Sequence, residues 1–252
     1  MPRILRTIVP RIKKSLRERG LFASLCRSAL LPIHLLREYR RTRRINPSGQ
    51  GRSKFDQEYG VETDGDFEDG WTYLSDLQIP SSNWIHGVNY TPIEPAKLHA
   101  ILTSLELKFE DFVFIDFGSG KGRAILMAAE FPFKRIVGVE FSPELHAIAL
   151  ANLAKDRRLE RRCGSVESLC MDFLEFPLPP EPSVYFFFDP CDESMLDRVL
   201  AKISKSLDAN PRELYVIYVA PNAAKERLLD SASRLAKLVR DLERNFCVYR
   251  AG

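Results

Sequence analysis

Four carboxylates stand at or just beyond the ends of short apolar runs rich in β-forming residues. Asp116 lies in Phe112-Val-Phe-Ile-Asp-Phe117, Glu140 in Arg135-Ile-Val-Gly-Val-Glu-Phe141, Asp172 in the run 166–173, and Asp189 in Ser183-Val-Tyr-Phe-Phe-Phe-Asp-Pro190. Open parallel sheets bind ligands outside the carboxyl ends of their strands, so carboxylates placed there can receive a ligand's hydrogen-bond donors. Asp116 is followed by Gly118, Ser119, Gly120 and Gly122. Glycines at alternate positions let the backbone turn sharply and approach a ligand where a Cβ would collide. A helix begins at once, with Ala124, Ile125, Ala128 and Ala129 on one stripe, so its free N–H groups and positive dipole end face the turn. The dinucleotide pattern Gly-x-Gly-x-x-Gly requires glycine at 123, where this chain has Arg123. Asp116 would repel a pyrophosphate but suits an ammonium group. Glu140, roughly twenty residues past the turn, is placed to accept both hydroxyls of a ribose.

The elements that position these groups alternate between strand and helix. Asn89-Tyr-Thr-Pro-Ile-Glu94 has the pattern of a capping box, with Thr91 as N-cap, Pro92 in the first helical position and Glu94 in the third. Leu98, Ile101, Leu102 and Leu105 form the buried stripe of that helix. Ser142-Pro-Glu-Leu opens a helix carried by Leu145, Ile148, Ala149 and Leu153. The run 183–190 is apolar throughout and reads as a central strand. Met195, Leu196, Val199, Leu200, Ile203 and Leu207 mark the next helix, followed by a strand over 214–220 and a helix over 224–231. The runs 235–242 and 246–250, separated by Glu243-Arg-Asn245, read as two strands, although Leu235, Leu238, Val239 and Leu242 could equally line a helix.

Written as Asp-x-Gly-x-Gly-x-Gly, the turn resembles the first motif of the class I S-adenosylmethionine-dependent methyltransferases, the seven-strand Rossmann-like family, over roughly residues 84 to 252. The resemblance implies an α/β fold: an open, mostly parallel seven-stranded doubly wound sheet with an antiparallel last strand, here preceded by a basic helical N-terminal arm. It implies S-adenosylmethionine as cofactor, held by Asp116, Gly118, Ser119, Gly120, Gly122, Glu140, Phe141, Asp172 and Phe173, with Asp172 on the adenine amino group and Phe173 on its face. Tyr90 and Thr91 would lie beside the glycine turn, Tyr90 either as a pocket wall or as ordinary packing. Asp189, followed by Pro190, would face the methyl group and orient an amine or accept its proton, so the expected catalytic set is Asp189, Pro190 and Tyr90. Family members acting on amines often carry Asp/Asn-Pro-Pro-Tyr/Phe at this place. The chain has Asp189-Pro-Cys-Asp192, a departure that weakens assignment to DNA bases or glutamine. The turn and the strand end Gly138-Val-Glu140 are nearest in motif to the non-SET protein-lysine methyltransferases, so a protein-lysine acceptor is expected. A small-molecule O- or N-methyltransferase is the alternative, followed by a non-catalytic S-adenosylmethionine-binding scaffold. Asp189 with Asn222 resembles part of a metal-assisted set, but Ala220 and Pro221 supply no second carboxylate, and no metal is expected. Arg123 and Asp116 disfavour a nicotinamide-dependent reductase.

A chain of 252 residues, 45% hydrophobic and 28% charged, suits one α/β core with an appendage. The net charge of +3 conceals an asymmetry: residues 1–54 hold about fifteen Lys and Arg against only Glu18 and Glu38, which leaves the remainder about ten charges negative. Three regions are expected: a basic amphipathic arm and linker over 1–54, an irregular acidic and aromatic cap or lid over 55–91, and the cofactor-binding domain over 92–252. Residues 1–45 suit peripheral contact with an anionic membrane surface, or packing on the body with the basic face in water. The apolar run 21–36 contains Arg27, Pro32 and His34 and is too short to span a bilayer comfortably. The acidic body makes nucleic acid an unlikely substrate. The five cysteines form no Cys-x-x-Cys pair, which points to a reducing cytoplasm, with the arm as the one candidate for membrane contact.

Overall fold

The structure is a computed structural model and describes residues 53–66, 71–155 and 162–251. The expected basic arm and nearly all of the linker lie outside the described residues. Among the described residues no helix is long and apolar enough to cross a membrane.

Strands β1 (Val113–Phe117), β2 (Arg135–Glu140), β3 (Val166–Cys170), β4 (Ser183–Phe188), β5 (Leu214–Val219), β6 (Ala236–Asp241) and β7 (Phe246–Ala251) form one seven-stranded sheet in the order β3-β2-β1-β4-β5-β7-β6. The five strands from β3 to β5 pair in parallel, and β7 inserts antiparallel to both β5 and β6. The stretch from Leu235 that could have lined a helix is thus an edge strand, and its Leu238 and Val239 point to solvent. Asn245, in the left-handed region at φ 52°, helps turn the chain back as β7.

Around the sheet lie α1 (Lys54–Tyr59), α2 (Pro95–Ser104), α3 (Arg123–Ala128), α4 (Pro143–Lys155), α5 (Glu193–Ala209) and α6 (Ala223–Ser231). Strand residues alternate between two cores, as a period of two requires. Phe114, Ile136, Phe186 and Ile217 pack with Leu98 and Ile101 of α2 and Ile125 of α3. Ile115, Val137, Phe187 and Tyr218 pack with Leu196, Val199 and Ile203 of α5. Helices therefore cover both faces.

Two local expectations are corrected. The capping box does not form: α2 starts at Pro95 and not at Pro92, with Glu94 as its N-cap. A residue before proline is driven out of the helical region, and Glu94 has φ −66° and ψ 129°, which rules it out as the third residue of a helix. The segment from Phe55, expected to be irregular throughout, opens with α1, capped by Ser53 Oγ on the Asp56 N–H and ended by Gly60 at φ 70°.

This segment is fastened to the glycine turn by two buried cations. Lys121 Nζ donates to Asp64 O and Asp66 Oδ1, both at 2.7 Å. Arg123 donates to Thr63 Oγ1 and Asp64 Oδ1, both at 2.6 Å, and to Asp56 Oδ1 at 3.3 Å. Arg123→Met would leave Asp56, 1% exposed, as a buried anion without its cation. The expected loss is about 3–5 kcal/mol of stability in urea unfolding; a loss under about 1 kcal/mol would show the cations to be dispensable.

Candidate active site

From β1 the chain winds outward through β2 and β3, then returns to β4 and winds the other way, so the order reverses between β1 and β4. Such a reversal opens a crevice at the strands' carboxyl ends. A cavity of about 370 Å³ lies there. Its walls include Asp116, Gly118, Ser119, Glu140 and Phe141 from the expected cofactor set, and Tyr90, Asp189 and Pro190 from the expected catalytic set. Asp172 and Phe173 lie past the end of β3 and line a separate space of about 30 Å³, which also touches Gly118, Phe141 and Pro190. Gly120 and Gly122 line neither space. A Cβ at Gly120 would fall 2.1 Å from the Tyr90 ring, and one at Gly122 would press on Ala149 at 3.2 Å. In this structure those two glycines admit protein neighbours.

Asp116 sits in register with Gly138 of β2 and Phe186 of β4 and is 3% exposed. Burial, and then the neighbouring charge of Glu140, push its carboxyl up to about 8. Glu140 Oε2 accepts the Gly120 N–H and Oε1 the Ser142 N–H, each at 2.8 Å. Burial raises Glu140 to about 7 against the opposing pull of these N–H groups and that of Phe141. The carboxylate expected to hold a ribose is therefore also the strut between the glycine turn and β2. Ser119 Oγ is buried with no partner among the described residues.

Across the crevice Asp189 adopts φ 43° and Ala220, just after β5, φ 60°; both line the cavity. Non-glycine residues rarely hold this conformation, and its cost collects at functional sites. Asp189 Oδ1 accepts from Lys225 Nζ at 2.5 Å and from Tyr218 Oη at 3.0 Å. The Tyr218 ring is set by a stack that runs from Phe117 to Phe187 at 4.7 Å and from Phe187 to Tyr218 at 5.9 Å. Sequence reading missed Lys225 and Tyr218. Asn222, considered with Asp189 for a metal set, instead caps α6, its Oδ1 accepting the Ala224 and Lys225 N–H groups.

A strap over residues 71–91 crosses the crevice. Tyr90 and Thr72 exchange backbone hydrogen bonds at 2.8 and 2.9 Å, and Tyr90 Oη donates to Thr63 O at 2.6 Å. The Val88 N–H donates to Pro190 O and the Asp192 N–H to His86 O, at 3.2 and 2.8 Å. His86 Nδ1 lies 2.7 Å from Asp192 Oδ2. Asp172 Oδ2 accepts from Ser81 Oγ at 2.8 Å and from Asn83 Nδ2 at 2.7 Å. The carboxylate expected to hold an adenine amino group thus already carries the chain's own donors.

No protein-family model matches the chain, and no curated protein matches it. Several solved structures are similar to it in fold. One, described as a predicted N6-adenine-specific DNA methylase from Listeria monocytogenes, is 15% identical over 64% of this chain and 51% of that one, with a TM-score of 0.49. The mitomycin 7-O-methyltransferase MmcR is 20% identical over 62% of this chain and 53% of its own, at 0.46. An RNA methyltransferase from Salinibacter ruber, in complex with S-adenosyl-L-homocysteine, is 21% identical over 64% of this chain and 92% of its own, at 0.44. The aligned region spans about half the length of the first two. The sheet, with β7 antiparallel between β5 and β6, is the expected open, mostly parallel seven-stranded sheet with an antiparallel last strand.

The raised carboxyls give a pH signature. Between about pH 4 and their folded values, Asp116 and Glu140 are neutral in the fold and charged in the unfolded chain. Their favourable contribution is therefore present below about pH 4 and is lost as pH rises through about 7 for Glu140 and about 8 for Asp116. Asp116→Asn should gain on the wild type in melting temperature as pH rises from about 5 to about 9. A difference that stays constant over that range would show Asp116 to be ionised throughout.

Proposed function

We propose that this protein is an S-adenosylmethionine-dependent methyltransferase acting on an amine, with protein lysine ahead of a small-molecule N- or O-nucleophile. The observation that carries the reading is the meeting of Asp116, Ser119 and Glu140 with Tyr90 and Asp189 around one cavity. The residues fit the cofactor. The buried Asp116 carboxyl, pushed up by burial and by Glu140, suits the methionine ammonium, while the unpaired Ser119 hydroxyl can serve the same end of the molecule. Glu140 keeps lone pairs beyond its two backbone contacts for ribose hydroxyls.

When bound, the cofactor supplies an electrophilic methyl group on a sulfonium. The protein's part is to align the acceptor and exclude water. Lys225 and Tyr218 both bind Asp189 Oδ1, which leaves Oδ2 without a protein donor among the described residues and able to take an acceptor N–H. The Tyr90 ring, packed on Gly120, walls the cavity from the strap side. The preference for lysine rests on the Asp116-Phe-Gly-Ser-Gly120 turn and Gly138-Val-Glu140, together with Trp71, a cavity wall 36% exposed that leaves the site reachable by a side chain of another protein. A lysine, with a reference pKa near 10.4, must lose its proton before attack, and Asp189 or water at the cavity takes it.

Calorimetry with S-adenosylmethionine and S-adenosylhomocysteine at neutral pH tests the reading. An ammonium beside Asp116 draws its carboxyl down from about 8, so binding should release protons and its enthalpy should vary with the buffer's ionisation enthalpy. Asp116→Asn should reduce that variation to the share of Glu140 and bind at least about tenfold more weakly, the worth of one charge-assisted contact. No uptake of either compound by the wild type would end this reading. Labelled methyl transfer into fractionated lysate then separates protein from small-molecule acceptors, and Asp189→Ala should abolish transfer while leaving S-adenosylhomocysteine affinity intact.

A further inference from the structure

We infer that residues 81–88 form a latch over the purine end of the crevice, in which Ser81 and Asn83 take the place on Asp172 that a ligand's N–H donor must occupy. The inference rests on the methyl-donor reading above and goes beyond it. Asp172 is 8% exposed and engaged from within on both oxygens: Oδ2 takes Ser81 Oγ and Asn83 Nδ2, and Oδ1 takes the Leu174 N–H at 2.9 Å. The space beside it, walled by Phe141, Phe173 and Met195, is about 30 Å³. That is room for water and not for a heteroaromatic ring. A base cannot reach Asp172 while the latch is shut.

Trp84 of the latch is half-buried, and the rest of what holds it is polar. The turn Ser82–His86 contains no buried residue, and Ile85 is 65% exposed. Its grip comes from Ser81 and Asn83 on Asp172, from His86 on Asp192, and from a long contact of Arg198 Nη1 to Asn83 Oδ1 at 3.4 Å. Segments with few apolar contacts open at low free energy. At the far end the hydrogen bonds of Val88 and Asp192 bind backbone to backbone, and a Cβ at Gly87 would lie 2.7 Å from Leu74 Cδ1 and 3.0 Å from Phe141 Cζ. That end is the hinge and the 81–83 end is the moving tip. Opening exchanges an internal hydroxyl and amide for a ligand's donor on the same carboxylate oxygen. A protein that spends most of its time closed shows an affinity reduced by its open fraction.

The double variant Ser81→Ala with Asn83→Ala, made in the full chain, separates a latch from a binding wall because the two predict opposite signs. Calorimetry with S-adenosylhomocysteine should show binding tightened at least about a hundredfold, two charge-assisted hydrogen bonds having been removed from the closed state only. Amide hydrogen exchange over 82–88 without ligand should quicken. Unchanged or weakened binding of S-adenosylhomocysteine relative to the wild type overturns the latch, as does unchanged exchange. If neither protein binds the compound while exchange quickens, the latch stands and the methyl-donor reading alone falls.

Discussion

Two cations planted in the glycine turn set the terms for everything on the amino side of β1. Lys121 and Arg123 are 1% and 6% exposed, and an uncompensated charge at such depth costs several kcal/mol. Their counter-charges are Asp56, Asp64 and Asp66, so residues 53–66 are bound to the sheet by electrostatic necessity as well as by the packing of Phe55. That pairing fixes Thr63, whose carbonyl takes the Tyr90 hydroxyl, and Tyr90 in turn lies on Gly120. One wall of the cavity is therefore held through ion pairs, two of them made by Arg123, which itself lines the cavity. The residue that spoils a dinucleotide fingerprint, Arg123, is the one that organises this wall.

The same economy governs the carboxylates. Glu140 braces the turn to β2, Asp172 holds the strap, and Asp189 is clamped between Lys225 and Tyr218. Asp116 is buried beside Glu140, which keeps it largely protonated near neutral pH. A carboxyl held up by burial and a neighbouring acid is primed for a cation, which would relieve both. The others act on a ligand through lone pairs that protein donors leave over, or by letting those donors go.

What could be read from the sequence divides along the range of the interactions. Strands β1 and β4 are buried on both faces and so appear as unbroken apolar runs, and α5 shows its stripe from Met195 to Leu207. The carboxylates at the strand ends follow from those runs, which is why five of the expected cofactor residues fall on one cavity. The start of α2 was misplaced because two prolines compete and a capping pattern does not say which one wins. Lys225 on Asp189, and Ser81 and Asn83 on Asp172, join residues 36, 91 and 89 positions apart. No periodicity reports such pairs, and each of these side chains looks like ordinary solvated surface on its own helix or loop.

The left-handed backbone at Ala220 bears on how chains of this fold diverge. Its φ of 60° is held against the preference of an alanine, and its side chain is a single methyl at the wall of the cavity that Asp189 also lines. Asparagine and glycine both tolerate that geometry better. A replacement by asparagine would ease the main chain while adding an amide to the acceptor's surroundings, so substrate preference can drift here with no debt in folding to hold it back.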